Sequence, residues 1–196
     1  MNWKAIAYYT DYRYKKLSDR LVSSGKDAGV EVFVCCAENR GSWIKNTAMK
    51  PEFIYSAMDL YQTDIVYLDT DAVIRSYPKL FDDMVGFDIA AHKIDMRRWF
   101  HPAVYPEFEY LAGTIYLKNN KKVLNFVNKW VREQKKHPEL PDQEIFNDVL
   151  SGSDLRIKDL PPTYCQIYDI MVEAGEAVIE HFQASRAVKD KHNGTE

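Results

Sequence analysis

Apolar runs of strand length alternate along this chain with longer segments of helical period. Trp3 to Thr10 reads as a strand, and Tyr14 to Ala28 as an amphipathic helix with Leu17, Leu21 and Val22 on one face. Val30 to Cys36 follows as a second strand. Strand, helix and strand within so few residues predict a right-handed crossover and parallel pairing. Pro51 suits a first helical turn, so Pro51 to Tyr61 reads as a helix leading into the strand Ile65-Val66-Tyr67-Leu68. Behind it come the apolar run Ala72-Val73-Ile74, a turn of helix after Pro78, and a strand from Phe87 to His92.

Lys93 to Glu109 shows no clear period and carries prolines and aromatics, which predicts a functional loop. Tyr110 to Lys118 reads as a strand interrupted at Ala112-Gly113, where a glycine lets something approach the backbone. Asn120 to Lys136 is an amphipathic helix, and Pro141 opens another that ends near Gly152. Leu155 to Leu160 is a strand stopped by Pro161-Pro162, and Ala177 to Phe182 is the last. The expected fold is a single α/β domain over residues 1–189, an open mixed, mainly parallel sheet flanked by helices, with a fraying polar tail at 190–196. Ligands of such sheets lie beyond the carboxyl ends of the strands.

Composition narrows this little. A chain of 196 residues with 46% hydrophobic and 28% charged residues is ordinary for one globular domain, and a net charge of −3 gives no general pull toward nucleic acid or anionic membrane. Cys35, Cys36 and Cys165 make no disulfide framework; the adjacent pair ends an apolar run and reads as buried thiols. No apolar run approaches membrane-spanning length and Met1-Asn2-Trp3-Lys4 has no signal-peptide pattern, so the expected setting is cytoplasmic.

The chemistry concentrates where the strand Ile65 to Leu68 ends in Asp69-Thr70-Asp71. In an extended chain positions i and i+2 face the same side, with Cα atoms roughly 6–7 Å apart, so one divalent ion can take an oxygen from each; the alternative is that the pair merely caps a turn. His181 stands at another strand end; alone it would read as a satisfied structural residue, and beside two aspartates it becomes the natural third ligand for Mn²⁺ or Mg²⁺. Behind it, Ser185, Arg186 and Lys189 can neutralise phosphates.

Four segments, in order, resemble the GT-A-fold nucleotide-diphospho-sugar glycosyltransferases, and within them the retaining group that includes glycogenin and bacterial lipopolysaccharide galactosyltransferases. Leu68-Asp69-Thr70-Asp71 is similar to the Asp-X-Asp motif, and Leu111-Ala112-Gly113-Thr114 to the Asn-Ala-Gly segment against the donor sugar. Asp142 to Asn147 is similar to the Asp-Gln-Asp-X-X-Asn run, and His181-Phe182-Gln183-Ala184 to His-Phe-X-Gly. The resemblance covers Ala5 to about Lys189 and implies a metal-dependent transferase taking a sugar from a nucleotide diphosphate such as UDP. It implies that Asp69, Asp71 and His181 bind the metal, and that Tyr9, Thr10 and Asp11 meet the uracil and ribose. Asp142 would hold sugar hydroxyls and Gln143 would lie nearest the anomeric carbon.

Lys50 occupies about the place of a basic residue near the donor, against an equal alternative of a solvated helix charge. Leu111 in place of asparagine, Ala184 in place of glycine and Ala187 in place of lysine depart from the pattern. Retention needs no separate base; inversion would need a carboxylate such as Asp95, Glu107, Glu109 or Asp142. Two other functions stay open at this level, a nucleotidyltransferase and a non-catalytic sugar-nucleotide or glycan-binding domain. The acceptor is open too. Arg97, Arg98, Trp99, Phe100, Tyr105 and Phe108 could stack on sugar rings or, as the less favoured option, on a nucleobase.

Overall fold

The structure is a computed structural model and describes residues 2–101, 103, 106–184 and 186. The tail expected at 190–196, together with Tyr105, Ser185, Ala187 and Lys189, lies outside the described residues. Strand β1 (Trp3–Tyr9) leads through α1 (Tyr12–Asp27) to β2 (Val32–Cys36), which pairs parallel with β1. Asp11 ends the loop between them as the N-cap of α1, its carboxylate accepting from the N–H groups of Arg13 and Tyr14. Two helices, α2 (Trp43–Thr47) and α3 (Lys50–Tyr61), return the chain to β3 (Asp64–Leu68), parallel to β1 on its other side.

A turn then leads into β4 (Ala72–Ile74), and the chain re-enters the main sheet as β5 (Ile89–Asp95). After α4 (Met96–Trp99), β6 (Phe108–Leu117) inserts antiparallel between β3 and β5. Helices α5 (Lys121–Lys136) and α6 (Asp142–Ser151) precede β7 (Ile157–Asp159), β8 (Gln166–Ile167) and β9 (Ile179–His181). The main sheet has the order β2-β1-β3-β6-β5-β7, in which only β6 runs against the rest. A small second sheet has the order β4-β9-β8.

Apolar side chains leave both faces of the main sheet. One face meets α3, α5 and α6 through Ile54, Met58, Trp130 and Phe146. The other meets α1 and the small sheet through Leu21, Ile74, Phe81 and Ile179. A third, smaller cluster gathers Ile94, Leu111, Cys165, Ile167 and Met171. Burial on both faces is what the near-continuous apolar runs of β1 and β3 require.

The structure departs from the sequence reading at identifiable places. Cys35 and Cys36 are exposed, because β2 is an edge strand and its last residues have no layer packed over them; Cys165 is the buried thiol. The Lys93–Glu109 stretch is partly regular: β5 runs on to Asp95, Asp95 caps α4 by accepting from Arg98 N–H, and β6 begins at Phe108. The two-residue β8 is too short to leave a period in the sequence.

Candidate functional site

Strand β3 ends at Leu68, opposite Thr114 of β6, and Asp69 N–H then donates to Gly113 O at 2.9 Å. Asp69-Thr70-Asp71 is a turn rather than extended chain, closed by Ala72 N–H donating to Asp69 O at 3.0 Å. The expected alternation of an extended strand is therefore not what brings the two acids together. The turn feeds β4, whose Ala72 stands opposite His181 in the antiparallel pairing with β9, and this register brings Asp71 to the histidine. Ligand atoms of Asp69, Asp71 and His181 all lie within 4.8 Å of one another.

Each member is held from behind. Asp71 Oδ1 is 3.4 Å from His181 Nδ1, and its Oδ2 accepts from Ala184 N–H at 2.9 Å. The Asp71 carbonyl accepts from Phe182 N–H at 3.3 Å and from the Arg20 guanidinium of α1 at 3.2 Å. Gln183, between Phe182 and Ala184, has φ of +51°, a left-handed turn that carries the chain past Asp71. Asp69 Oδ1 accepts from the Tyr67 hydroxyl at 2.8 Å. His181 Nε2 lies 2.8 Å from Thr114 Oγ1.

Gly113 leaves the space between these groups open. A Cβ there would stand 3.0 Å from His181 Cε1, 3.2 Å from its Nδ1 and 3.3 Å from Asp69 Oδ2. Two carboxylates and one imidazole around a gap that any side chain would close form a donor set that fits Mn²⁺ or Mg²⁺.

Lys50, the first residue of α3, is buried, which rules out the solvated-charge alternative. Its ammonium is 2.5 Å from Asp142 Oδ2 and 3.2 Å from Asp69 Oδ1, and it donates to Ala112 O at 3.0 Å. Three acceptors match its three protons. The lysine therefore ties the Asp69-Thr70-Asp71 turn to the first residue of α6.

Asp142 is buried and Gln143 is fixed at both ends. Gln143 Oε1 accepts from Ala112 N–H at 3.1 Å, and its Nε2 donates to Glu109 at 2.7 Å. Asn147, one helical turn on, accepts from Tyr110 N–H at 2.7 Å and donates to Tyr110 O at 2.9 Å. Beyond Leu68, β3 no longer pairs with β6, and these two amides take over the bonds that a strand would have made. Their i, i+4 spacing on α6 matches a period of two along β6. Leu111 turns away into the third apolar cluster, so it is not a direct stand-in for a polar sugar contact.

The electrostatics follow the packing. Burial raises the Asp69 carboxyl, with Asp71 and Asp142 adding to it against the opposing Lys50 charge. Burial would raise Asp71 too, but His181 and the Ala184 N–H outweigh it and hold its carboxyl below the ordinary range. His181 would be lowered by burial, yet the neighbouring Cys165 and Asp71 push it well above its usual value.

Sequence reasoning missed two groups here, Tyr14 and Thr114, while Glu109 was among the carboxylates it offered as a base. The Tyr14 hydroxyl is buried without a partner, and burial together with Asp71, Asp11 and Asp69 pushes its pKa up to about 12. Its position one turn inside an Asp-capped helix was the available signal. Glu109 is raised mainly by burial. Thr114, directly after Gly113, is fully buried.

The remaining expected residues are less engaged. Tyr9 and Thr10 are half-buried at the end of β1, and Thr70 is buried in the turn. Arg186 is paired with Asp169 at 2.5 Å.

A family model of nucleotide-diphospho-sugar transferases matches residues 35–191 of this chain. No curated protein matches it. Among solved structures it is similar to a glycosyltransferase involved in the glycosylation of the major capsid of PBCV-1, with 14% identity, all of both chains covered and a TM-score of 0.72. It is also similar to the glycosyltransferase GlyE of Streptococcus pneumoniae TIGR4, with 16% identity and a TM-score of 0.60. There it covers 100% of its own length and 61% of the other chain. At these identities the two likenesses show a shared fold. Matched over most of its length by the family model, the chain belongs to the nucleotide-diphospho-sugar transferase family and is a glycosyltransferase with a GT-A-like fold.

Proposed function

We propose that this protein transfers a sugar from a nucleoside diphosphate, UDP in the first instance, to a hydroxyl acceptor, with Mn²⁺ or Mg²⁺ held by Asp69, Asp71 and His181. The observation that carries the reading is the convergence of those three side chains within 4.8 Å at a strand end. When bound, the ion supplies positive charge against the diphosphate.

The chain's own residues do the rest. Tyr9, Thr10 and Asp11 bind the nucleoside at the carboxyl end of β1, with Thr70 on the ribose side. Both capping bonds of Asp11 fall on Oδ1, so its Oδ2 and its backbone serve the nucleoside. Lys50 keeps Asp69 and Asp142 in register. Ala112 and Gly113 give the sugar a bare stretch of backbone to lie against, and Asp142 and Gln143 flank it. The phosphates are the proposed partners of Ser185 and of Arg186, which would exchange its pairing with Asp169.

Retention of configuration is the favoured outcome. Each of the four carboxylates read from the sequence as a base for inversion already holds a partner. Asp95 caps α4, Glu107 pairs with Arg97 at 3.2 Å, Asp142 pairs with Lys50, and Glu109 accepts from Gln143. In the retaining route a leaving phosphate oxygen takes the acceptor proton. A reducing, cytoplasmic setting is part of the proposal and is supported by the exposed, unpaired thiols of Cys35 and Cys36. The acceptor is a glycan or another hydroxyl compound.

The test is a panel of sugar nucleotides, each with Mn²⁺ and with excess chelator, read as thermal stabilisation and as product. The proposal expects metal-dependent stabilisation by one UDP-sugar and release of free UDP. Release of pyrophosphate, or stabilisation that survives chelation unchanged, would overturn it.

A further inference from the structure

His181 is the one proposed ligand whose donor atom depends on where a proton sits. An imidazole offers a lone pair at one nitrogen only when the other carries the hydrogen, and a partner at that second nitrogen decides which is which. The ring is buried and boxed in by separate parts of the chain. Asp71 comes from the β3–β4 turn, Gly113 and Thr114 from β6, and Cys165 from the segment before β8. Nδ1 points to the acids, 3.4 Å from Asp71 Oδ1 and on the side of the gap at Gly113. Nε2 points away from them, 2.8 Å from Thr114 Oγ1.

We infer that Thr114 is a positioning residue for the metal site: its hydroxyl oxygen accepts a hydrogen bond from His181 Nε2–H, so that Nδ1 is the nitrogen left to give its lone pair to an ion between Asp69 and Asp71. This rests on the proposed role of His181 as a ligand. Thr114 is fully buried, so no water can replace its oxygen as the acceptor. It sits next to the glycine that leaves the gap open, so a single dipeptide of β6 provides both the space and the orientation. The threonine methyl also blocks one of the hydroxyl's rotamers, which narrows the directions its oxygen can face.

The test titrates the metal-free protein with Mn²⁺ alone and follows free Mn²⁺ by electron paramagnetic resonance. T114V keeps the side-chain volume and removes the oxygen; T114S keeps the oxygen and removes the methyl. T114V is expected to bind Mn²⁺ about 10–100-fold more weakly, the usual effect of losing an outer partner of a ligating histidine. T114S is expected to bind within about threefold of wild type, since the hydroxyl is what the partner role requires.

If T114V yields no folded protein, T114C takes its place, because a thiol is a poor acceptor of similar size. Wild-type Mn²⁺ affinity in the folded oxygen-free variant, or equal losses in T114S and T114V, would overturn the inference. Wild-type protein that binds no Mn²⁺ would instead sink the metal reading on which it rests.

Discussion

Replacing Lys50 by methionine probes the joint between the Asp69-Thr70-Asp71 turn and α6. The methionine keeps an apolar stem of similar length in the buried path but removes an ammonium that serves Asp69, Asp142 and Ala112 O. The two acids respond differently. The Asp69 side chain is 39% exposed, so water can take over much of what Lys50 supplied there. The Asp142 side chain is only 5% exposed and would be left as a buried charge without a counter-ion. Removing one partner of such a pair costs about 3–5 kcal/mol. At roughly 2–4 °C per kcal/mol for a chain of this size, K50M should melt about 6–20 °C lower.

The double variant K50M/D142N removes the stranded charge and should recover about 2 kcal/mol or more of that loss. Urea denaturation of wild type, both single variants and the double variant, with the metal chelated throughout, gives the full cycle. A K50M variant within about 1 kcal/mol of wild type, or a double variant no more stable than K50M, would refute the buried-pair argument.

Other expectations are as specific. G113A places a methyl 3.0–3.3 Å from His181 and Asp69, so they must part by a few tenths of an ångström; Mn²⁺ affinity should fall while the apo melting temperature moves little. An unchanged Mn²⁺ isotherm would show that the gap is not the ion site. D71A should fold normally and lose metal-dependent sugar-nucleotide turnover, with activity at the wild-type level counting against the mechanism. Asp88 gives a pH prediction: burial would raise its carboxyl, but the Arg156 N–H and guanidinium and Lys122 hold it below its ordinary value of 3.8. A depressed carboxyl stabilises the fold above that pH and loses its contribution as pH falls through the folded-state value. D88N should therefore be about 1.5–3 kcal/mol less stable at neutral pH, with the gap closing in acid. A gap that stays constant down to pH 2.5, or widens, would contradict that linkage.

Much of this was legible in the sequence because the relevant forces are local. The apolar runs of β1 and β3 and the periods of α1, α5 and α6 announce themselves, and Asp69-Thr70-Asp71 directly follows the strand that exposes it. What was not legible depends on distant partners. Whether Lys50 is solvated or buried is decided by Asp142 and Ala112, far along the chain. The thiols of Cys35 and Cys36 look buried until β2 is known to be the sheet's edge. Gln143 reads as the group nearest the anomeric carbon, yet its amide and that of Asn147 also complete the β6 backbone where β3 has ended. Thr114 carries no motif of its own, and its role exists only once β9 brings His181 alongside.

The central claim is that two aspartates from one turn and a histidine from the last strand grip one ion that in turn holds the donor diphosphate. Calorimetric titration of UDP into the wild-type protein, with and without Mn²⁺, and into D71A with Mn²⁺, tests it most directly. The account predicts binding only for wild type with the metal present. Equal UDP affinity in all three titrations would contradict it.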